Sequence, residues 1–237
     1  MNRIKRYYTA FRRYNRSKGY GVHSPFAYNF IRNVLREKYP YYAYSELKEQ
    51  RKRAKVLSVK KSGQQRLISY SNAKMIFRIA CYFNPDIILQ IGTTHGVASS
   101  ALLKATDSAN IILFLGENNH DDVVYHEITK QYADRILTKQ SLSEAIRCYR
   151  SEQKKCGLIL VNHIESKELN DTLQVVMQTL QEGGLVIIRN LSTSPIIRQL
   201  WKTCCAEKPC GMSFTNYQTG IIVGYRYLPK QHFNLWF

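Results

Sequence analysis

The sequence predicts an α/β fold: a doubly wound, mostly parallel sheet, preceded by a helical extension and closed by an antiparallel hairpin. Three observations predict it. Residues 85–104, PDIILQIGTTHGVASSALLK, read as strand, glycine turn and helix start in direct succession. Downstream, short apolar runs alternate with stretches of helical periodicity, the pattern of parallel strands joined by crossover helices. The last stretch instead holds two short runs about Gln218-Thr219-Gly220, which read as a hairpin. Five parallel strands and that hairpin make an expected seven-stranded sheet.

Taken in order, Ile4, Tyr7, Tyr8 and Phe11 have helical spacing within a run of basic residues, which predicts an amphipathic helix over 2–15. Ser24-Pro25 predicts a helix start, serine as N-cap and proline as first helical residue, with Phe26, Phe30, Ile31, Val34 and Leu35 as its apolar stripe. A short basic helix is expected over 45–54 and a basic turn at Lys60-Lys61-Ser62-Gly63. Met75, Ile76, Ile79, Ala80 and Phe83 mark a buried helix face leading into the first strand, Asp86–Ile91. The glycine turn and its helix follow. Then come a second strand over 110–115, a helix over 119–132, a strand over 135–138 and a helix over 141–150 capped by Ser141 with Glu144 three residues on. A fourth strand is expected over 157–161, a helix over 167–180 ended by Gly183-Gly184, a fifth strand over 185–188, and a helix opened by Ser194-Pro195. The hairpin runs from Met212 to Asn216 and from Gly220 to Tyr227.

Composition bounds the function. The chain has 237 residues, 44% of them hydrophobic and 22% charged, and reads as an ordinary globular protein. No apolar run approaches the roughly 20 residues that span a bilayer, and the N-terminal stretch is too charged for a signal-peptide core, so a cytoplasmic protein is expected. Cys81, Cys148, Cys156, Cys204, Cys205 and Cys210 have no paired metal-ligand spacing. The formal charge is +18, and residues 1–75 carry 19 of the 35 lysines and arginines against three acids, together with ten of the 17 tyrosines. That asymmetry divides the chain into a basic helical extension, 1–70, and a near-neutral α/β domain, 71–237. It points to a polyanionic partner: nucleic acid, through phosphate contacts and tyrosine stacking, or an anionic membrane surface. The competing reading is a helical cap whose charge is merely solvated.

In an open α/β sheet a ligand lies at the C-terminal strand ends, beside the point where the strand order reverses. That singles out Gln90 to Gly96, Gly116 to Asn118, Asn162 to Glu165 and Arg189 to Leu191. Gly92 can take backbone angles that other residues avoid, while Gly96 leaves room either for a ligand or for close helix packing.

With these residues in place, the sequence resembles the class I S-adenosylmethionine-dependent methyltransferases. It is similar in particular to a bacterial group whose basic N-terminal helix leads into a Gly-Val-His-Ser-Pro-Phe motif, here Gly21 to Phe26, and whose ending matches Lys230-Gln231-His232-Phe233. The resemblance implies a Rossmann-like methyltransferase domain with S-adenosylmethionine as cofactor. It implies that Gly92, Thr93, Thr94 and Gly96 form the cofactor loop, that Gln90 and Asn162 hydrogen-bond the cofactor, and that Glu117 accepts from both ribose hydroxyls. A carboxylate suits that last task because it offers two acceptor oxygens and no donor.

The sequence departs from that pattern at Gln90, Asn162, Arg189 and Asn190, where the family usually keeps acids. In related metal-dependent O-methyltransferases such acids hold a divalent cation. Magnesium wants oxygen ligands, normally carboxylates, so no catalytic metal is expected here. His163 is the candidate base for the acceptor's proton because an imidazole titrates in the useful range. His95 stands at a similar strand end. For both the competing reading is a loop scaffold residue, and for Glu165 a surface charge. The expected function is a metal-independent methyltransferase of unassigned acceptor. The rival is a binding or regulatory module that keeps the fold without the chemistry.

Overall fold

The structure is a computed structural model that describes residues 11, 13–60, 67–116, 123–152, 157–208 and 211–237. The helix expected over 2–15 therefore lies largely outside the described residues, as do the basic turn after Lys60, Glu117, Cys156 and Cys210.

Eight strands form one sheet. Five are mutually parallel: β1 (Ile87–Ile91), β2 (Asn110–Phe114), β3 (Ile136–Lys139), β4 (Gly157–Val161) and β5 (Leu185–Arg189). The hairpin strands β6 (Met212–Thr215) and β7 (Thr219–Val223) pair antiparallel, and β7 runs antiparallel to β5. A last strand, β8 (Gln231–Asn234), pairs parallel with β6. The order is β3-β2-β1-β4-β5-β7-β6-β8. The expected count of seven is thus corrected to eight. The missed strand has four residues, of which only Phe233 is buried, too few to show an alternation.

Helices cover both faces, as parallel strands buried on both sides require. On one face lie α1 (Pro25–Phe30), α2 (Ala43–Lys60), α3 (Tyr70–Phe83), α4 (Val97–Ala105) and α5 (Val123–Thr129). On the other lie α6 (Leu142–Glu152), α7 (Leu169–Gln181) and α8 (Pro195–Glu207). Strand residues alternate between the two cores: Ile88, Leu160 and Ile187 face the first, Leu89, Val161 and Ile188 the second. None of the described helices is long and apolar enough to cross a membrane.

The cap signals act as the sequence predicts. Ser24 Oγ accepts from Ala27 N at 3.2 Å, Ser141 Oγ from Glu144 N at 3.2 Å and Ser194 Oγ from Ile197 N at 3.3 Å. α1 runs on into a π-helical turn, Ile31–Leu35, and α2 extends well past the expected end at Ala54 because KVLSVK holds no breaker.

The front end is not an appendage. Ala27, Phe30, Ile31, Val34 and Leu47 belong to the same apolar core as Ile88, Leu160 and Phe214. Phe30 meets Phe214 edge-on at 5.0 Å between ring centroids. Arg78 of α3 donates to Val34 O at 2.5 Å, Leu35 O at 3.0 Å and Tyr44 Oη at 3.0 Å, satisfying carbonyls left open where the π turn ends. At the far end, Arg13 Nη2 donates to Leu235 O at 2.7 Å and its guanidinium lies 4.1 Å from the centroid of the Tyr217 ring. Ser17 Oγ accepts from Trp236 N at 2.6 Å.

Candidate functional site

β1 pairs with β2 on one side and β4 on the other, so its C-terminal end is the point at which the strand order reverses. Gly92 follows it at φ +78°, and its N–H donates to Phe114 O at 2.7 Å. A Cβ here would lie 2.8 Å from His163 N and 3.0 Å from His163 O. Both the dihedral and the approach of the β4 end demand glycine. Gly96, the N-cap of α4 at φ +77°, needs glycine for another reason. Its Cβ would meet Thr129 Cγ2 at 2.9 Å and Tyr125 O at 3.1 Å. Of the two roles the sequence leaves open, close helix packing is the one this geometry makes.

Between these glycines, Thr94 accepts two bonds from the first turn of α4. Its Oγ1 accepts from Ala98 N at 3.3 Å and its carbonyl from Val97 N at 3.4 Å. His95 sits in left-handed backbone at φ +53°. Thr93, Thr94 and His95 are all buried. Thr93 Oγ1 is buried without a hydrogen-bond partner among the described residues, an exception to the rule that buried polar atoms are paired.

Gln90, Asn162 and Arg189 project from the ends of β1, β4 and β5 onto one sheet face, the face of Ile88, Leu160 and Ile187. Gln90 and Asn162 are fully buried and converge on one acceptor. Gln90 Nε2 donates to Gly92 O at 3.1 Å, and Asn162 Nδ2 donates to the same oxygen at 2.9 Å. Their oxygens are also used: Gln90 Oε1 accepts from Ser99 Oγ at 2.8 Å, Asn162 Oδ1 from Arg189 Nη1 at 2.8 Å. Asn190, at φ +65°, donates from Nδ2 to Asn162 O at 2.8 Å. The chain Ser99–Gln90–Gly92–Asn162–Arg189 thus fixes the carbonyl that opens the glycine loop. A carboxylate at position 90 or 162 would set oxygen against oxygen there, so the two amides are a matched pair. The sequence points to both positions but not to their shared target. Ser99 escaped it, and Asn190 was singled out by its place past the fifth strand but not for its bond to Asn162 O, although an asparagine there is a residue type that tolerates left-handed backbone.

Arg189 is 5% exposed, and burial brings its pKa down to about 10. His163 is exposed at the same rim, its backbone packed on Gly92. Glu165 is half-buried, and the turn Ser166–Glu168 carries a capping box in which Glu168 Oε2 accepts from Glu165 N at 2.8 Å. Glu117 lies outside the described residues, so its distance from the loop is not part of this geometry.

Among the described residues at the ends of β1, β4 and β5 the side-chain oxygens are those of neutral amides and hydroxyls, not carboxylates, and Asn162 Oδ1 is already bonded to a guanidinium whose charge opposes a metal. Among the described residues no three histidines, cysteines or acids cluster as ligands.

No family model matches the chain, and no curated protein does. Solved structures do. An O-methyltransferase from Bacillus cereus in complex with SAH aligns with a TM-score of 0.56 at 14% identity, over 82% of this chain and 96% of that one. An SAH-bound methyltransferase from Podospora anserina aligns at 0.55 and 14% identity, over 85% and 96%. The O-methyltransferase TomG from Streptomyces achromogenes, in complex with SAM, aligns at 0.55 and 11% identity, over 75% and 88%. At these identities the likeness establishes the Rossmann-like methyltransferase fold, shared with class I S-adenosylmethionine-dependent O-methyltransferases.

Proposed function

We propose that the chain is an S-adenosylmethionine-dependent methyltransferase that works without a catalytic metal, its methyl acceptor unassigned. The observation that carries this reading is the unsatisfied Thr93 hydroxyl in a rigidly held glycine loop at the sheet's reversal point. A buried hydroxyl without a partner is costly, and a ligand with polar edges removes that cost. Bound there, the cofactor supplies an electrophilic sulfonium methyl. Gly92, Thr93 and Thr94 would hold it, and Glu117 would accept from its ribose hydroxyls. Gln90 and Asn162 serve by fixing Gly92 O rather than by touching the cofactor with the atoms they already spend. His163, exposed at the rim, would take the acceptor's proton.

Calorimetry with S-adenosylhomocysteine tests this. The wild type should bind. Glu117→Ala should weaken binding by about tenfold or more, the value of a lost hydrogen bond to a charged group, and Thr93→Val should weaken it less. Absence of heat from the wild type defeats the proposal. A second reading, a module that binds without catalysis, is favoured by the neutral and basic groups at 90, 162, 189 and 190. It predicts the same binding heat with no methyl transfer to any acceptor.

The front end goes with either reading. Lys18, Arg32, Arg36 and Lys38 line a cleft of about 610 Å³ together with Tyr20 and Tyr39, a composition suited to a polyanion. A salt-sensitive RNA shift would assign that cleft to nucleic acid, and selective binding to anionic liposomes would assign it to a membrane surface.

A further inference from the structure

Among the described residues, Arg189 and Arg13 each reach one acceptor and leave a buried Nε without a partner, but Arg13 is only partly buried and lies over the Tyr217 ring, whereas Arg189 is buried. It is 5% exposed, it has a single acceptor in Asn162 Oδ1, and its Nε is buried with no partner among the described residues. No carboxylate among those residues pairs with it; burial alone perturbs it, and it stays cationic at neutral pH. Two other arginines show what a purely structural guanidinium looks like here. Arg78, equally buried, reaches Val34 O, Leu35 O and Tyr44 Oη. Arg135 reaches the carbonyls of Leu103, Thr106 and Ala109. Each spends its planar fork on several acceptors, whereas Arg189 spends one nitrogen. A neutral amide or hydroxyl could hold Asn162 Oδ1 without the several kcal/mol that desolvating an unpaired charge costs.

We propose that Arg189 is the receptor for an anionic oxygen group, of carboxylate type, on a small molecule bound at the strand ends. The Nε edge of a guanidinium matches two oxygens of such a group. The position is right: Arg189 ends β5 beside Asn162, with half-buried Asn190 and exposed His163 on the same rim. This rests on the ligand-site reading of the glycine loop but not on methyl transfer. Two sources would supply the group: the amino-acid carboxylate of the methyl donor, or an acidic group on the acceptor.

The test compares the full chain, Arg189→Met and Arg189→Lys by calorimetry and thermal melting. The probes are S-adenosylhomocysteine, 5′-methylthioadenosine (the same nucleoside thioether without the carboxylate), benzoate and inorganic phosphate. Arg189→Met removes an unpaired buried charge but leaves Asn162 Oδ1 without its donor, so the two effects oppose and its melting point should stay within a few degrees of wild type. It should also lose about tenfold or more in affinity for an anionic probe, with methylthioadenosine unaffected. Loss confined to S-adenosylhomocysteine assigns the group to the donor; loss confined to benzoate or phosphate assigns it to the acceptor. Arg189→Lys, which keeps the charge without the fork, should fall between, and it decides by the same affinity criterion if the methionine variant does not fold. Equal behaviour of wild type and variants towards every probe, including no binding by any, overturns the proposal. So does a melting point several degrees lower in Arg189→Met with affinities unchanged. A wild type that binds neither nucleoside would end the cofactor reading, while benzoate and phosphate would still decide for Arg189.

Discussion

At the scale of single residues, the site is organised by a carbonyl. Gly92 O accepts from both Gln90 and Asn162, and Gly92 itself is pinned by its dihedral and by the His163 backbone. Gly92→Ala should therefore lower unfolding free energy by about 1–3 kcal/mol, the range for a strained backbone position, and denaturant titration would show it. It should also weaken ligand binding, because the loop must shift from His163. The positions of Gln90, Gly92 and Asn162 were legible because strand ends and glycine turns leave a periodic trace. Their convergence was not, since the bond from Asn162 reaches Gly92 across 70 residues of sequence and both bonds come from side-chain amides that carry no pattern. The role of Gly96 was left open for the same reason: its neighbours, Thr129 and Tyr125, come from another helix. Arg189 showed in the sequence as a strand-end position and as a departure from the acids of similar proteins; that it reaches Asn162 Oδ1 with one nitrogen and leaves Nε unpaired is a property of the packed fold.

At the scale of elements, most boundaries followed from chemistry that acts within a few residues. Serine caps, the Pro25 start and the Gly183-Gly184 break all lie where the chain places them. The eighth strand did not announce itself, because its evidence is a pairing with β6 and not a motif. The turn Ser166–Glu168 offers a test of electrostatics at this level. Burial pushes the Glu168 carboxyl above its ordinary range, opposed by the hydrogen bond from Glu165 N and reinforced by the Glu165 charge. The folded chain then holds this proton more tightly than the unfolded one. Stability contributed here is full below the unfolded value and declines as pH rises through the raised folded value. Glu168→Gln keeps an oxygen for Glu165 N and removes the penalty. It should melt higher than wild type at pH 7, with the difference narrowing as pH falls below the ordinary carboxylate range. A difference independent of pH would show that the carboxylate is solvated.

At the scale of the whole molecule, the front end and the sheet share one apolar core, and the first described helical residues are bonded to the last strand's extension. The charge asymmetry was plain in the sequence, whereas this integration was not, since basic residues face solvent while the apolar ones between them turn inward. The chain should unfold in a single transition by melting and by hydrogen exchange. A fragment beginning at residue 71 should aggregate, having exposed the surface that Phe30, Ile31, Val34 and Leu47 cover. A stable, monomeric fragment would contradict a shared core.

The stitching of Arg13 and Ser17 to Leu235 and Trp236 has a consequence for how the chain is made. The residues that receive Arg13 and Ser17 lie 222 and 219 positions downstream, so neither bond can form until that distant stretch has been made. A chain cut short before Gln231 should be open to trypsin at Arg13 and Arg16, where the full chain should resist; equal cleavage of the two would show that these bonds protect nothing.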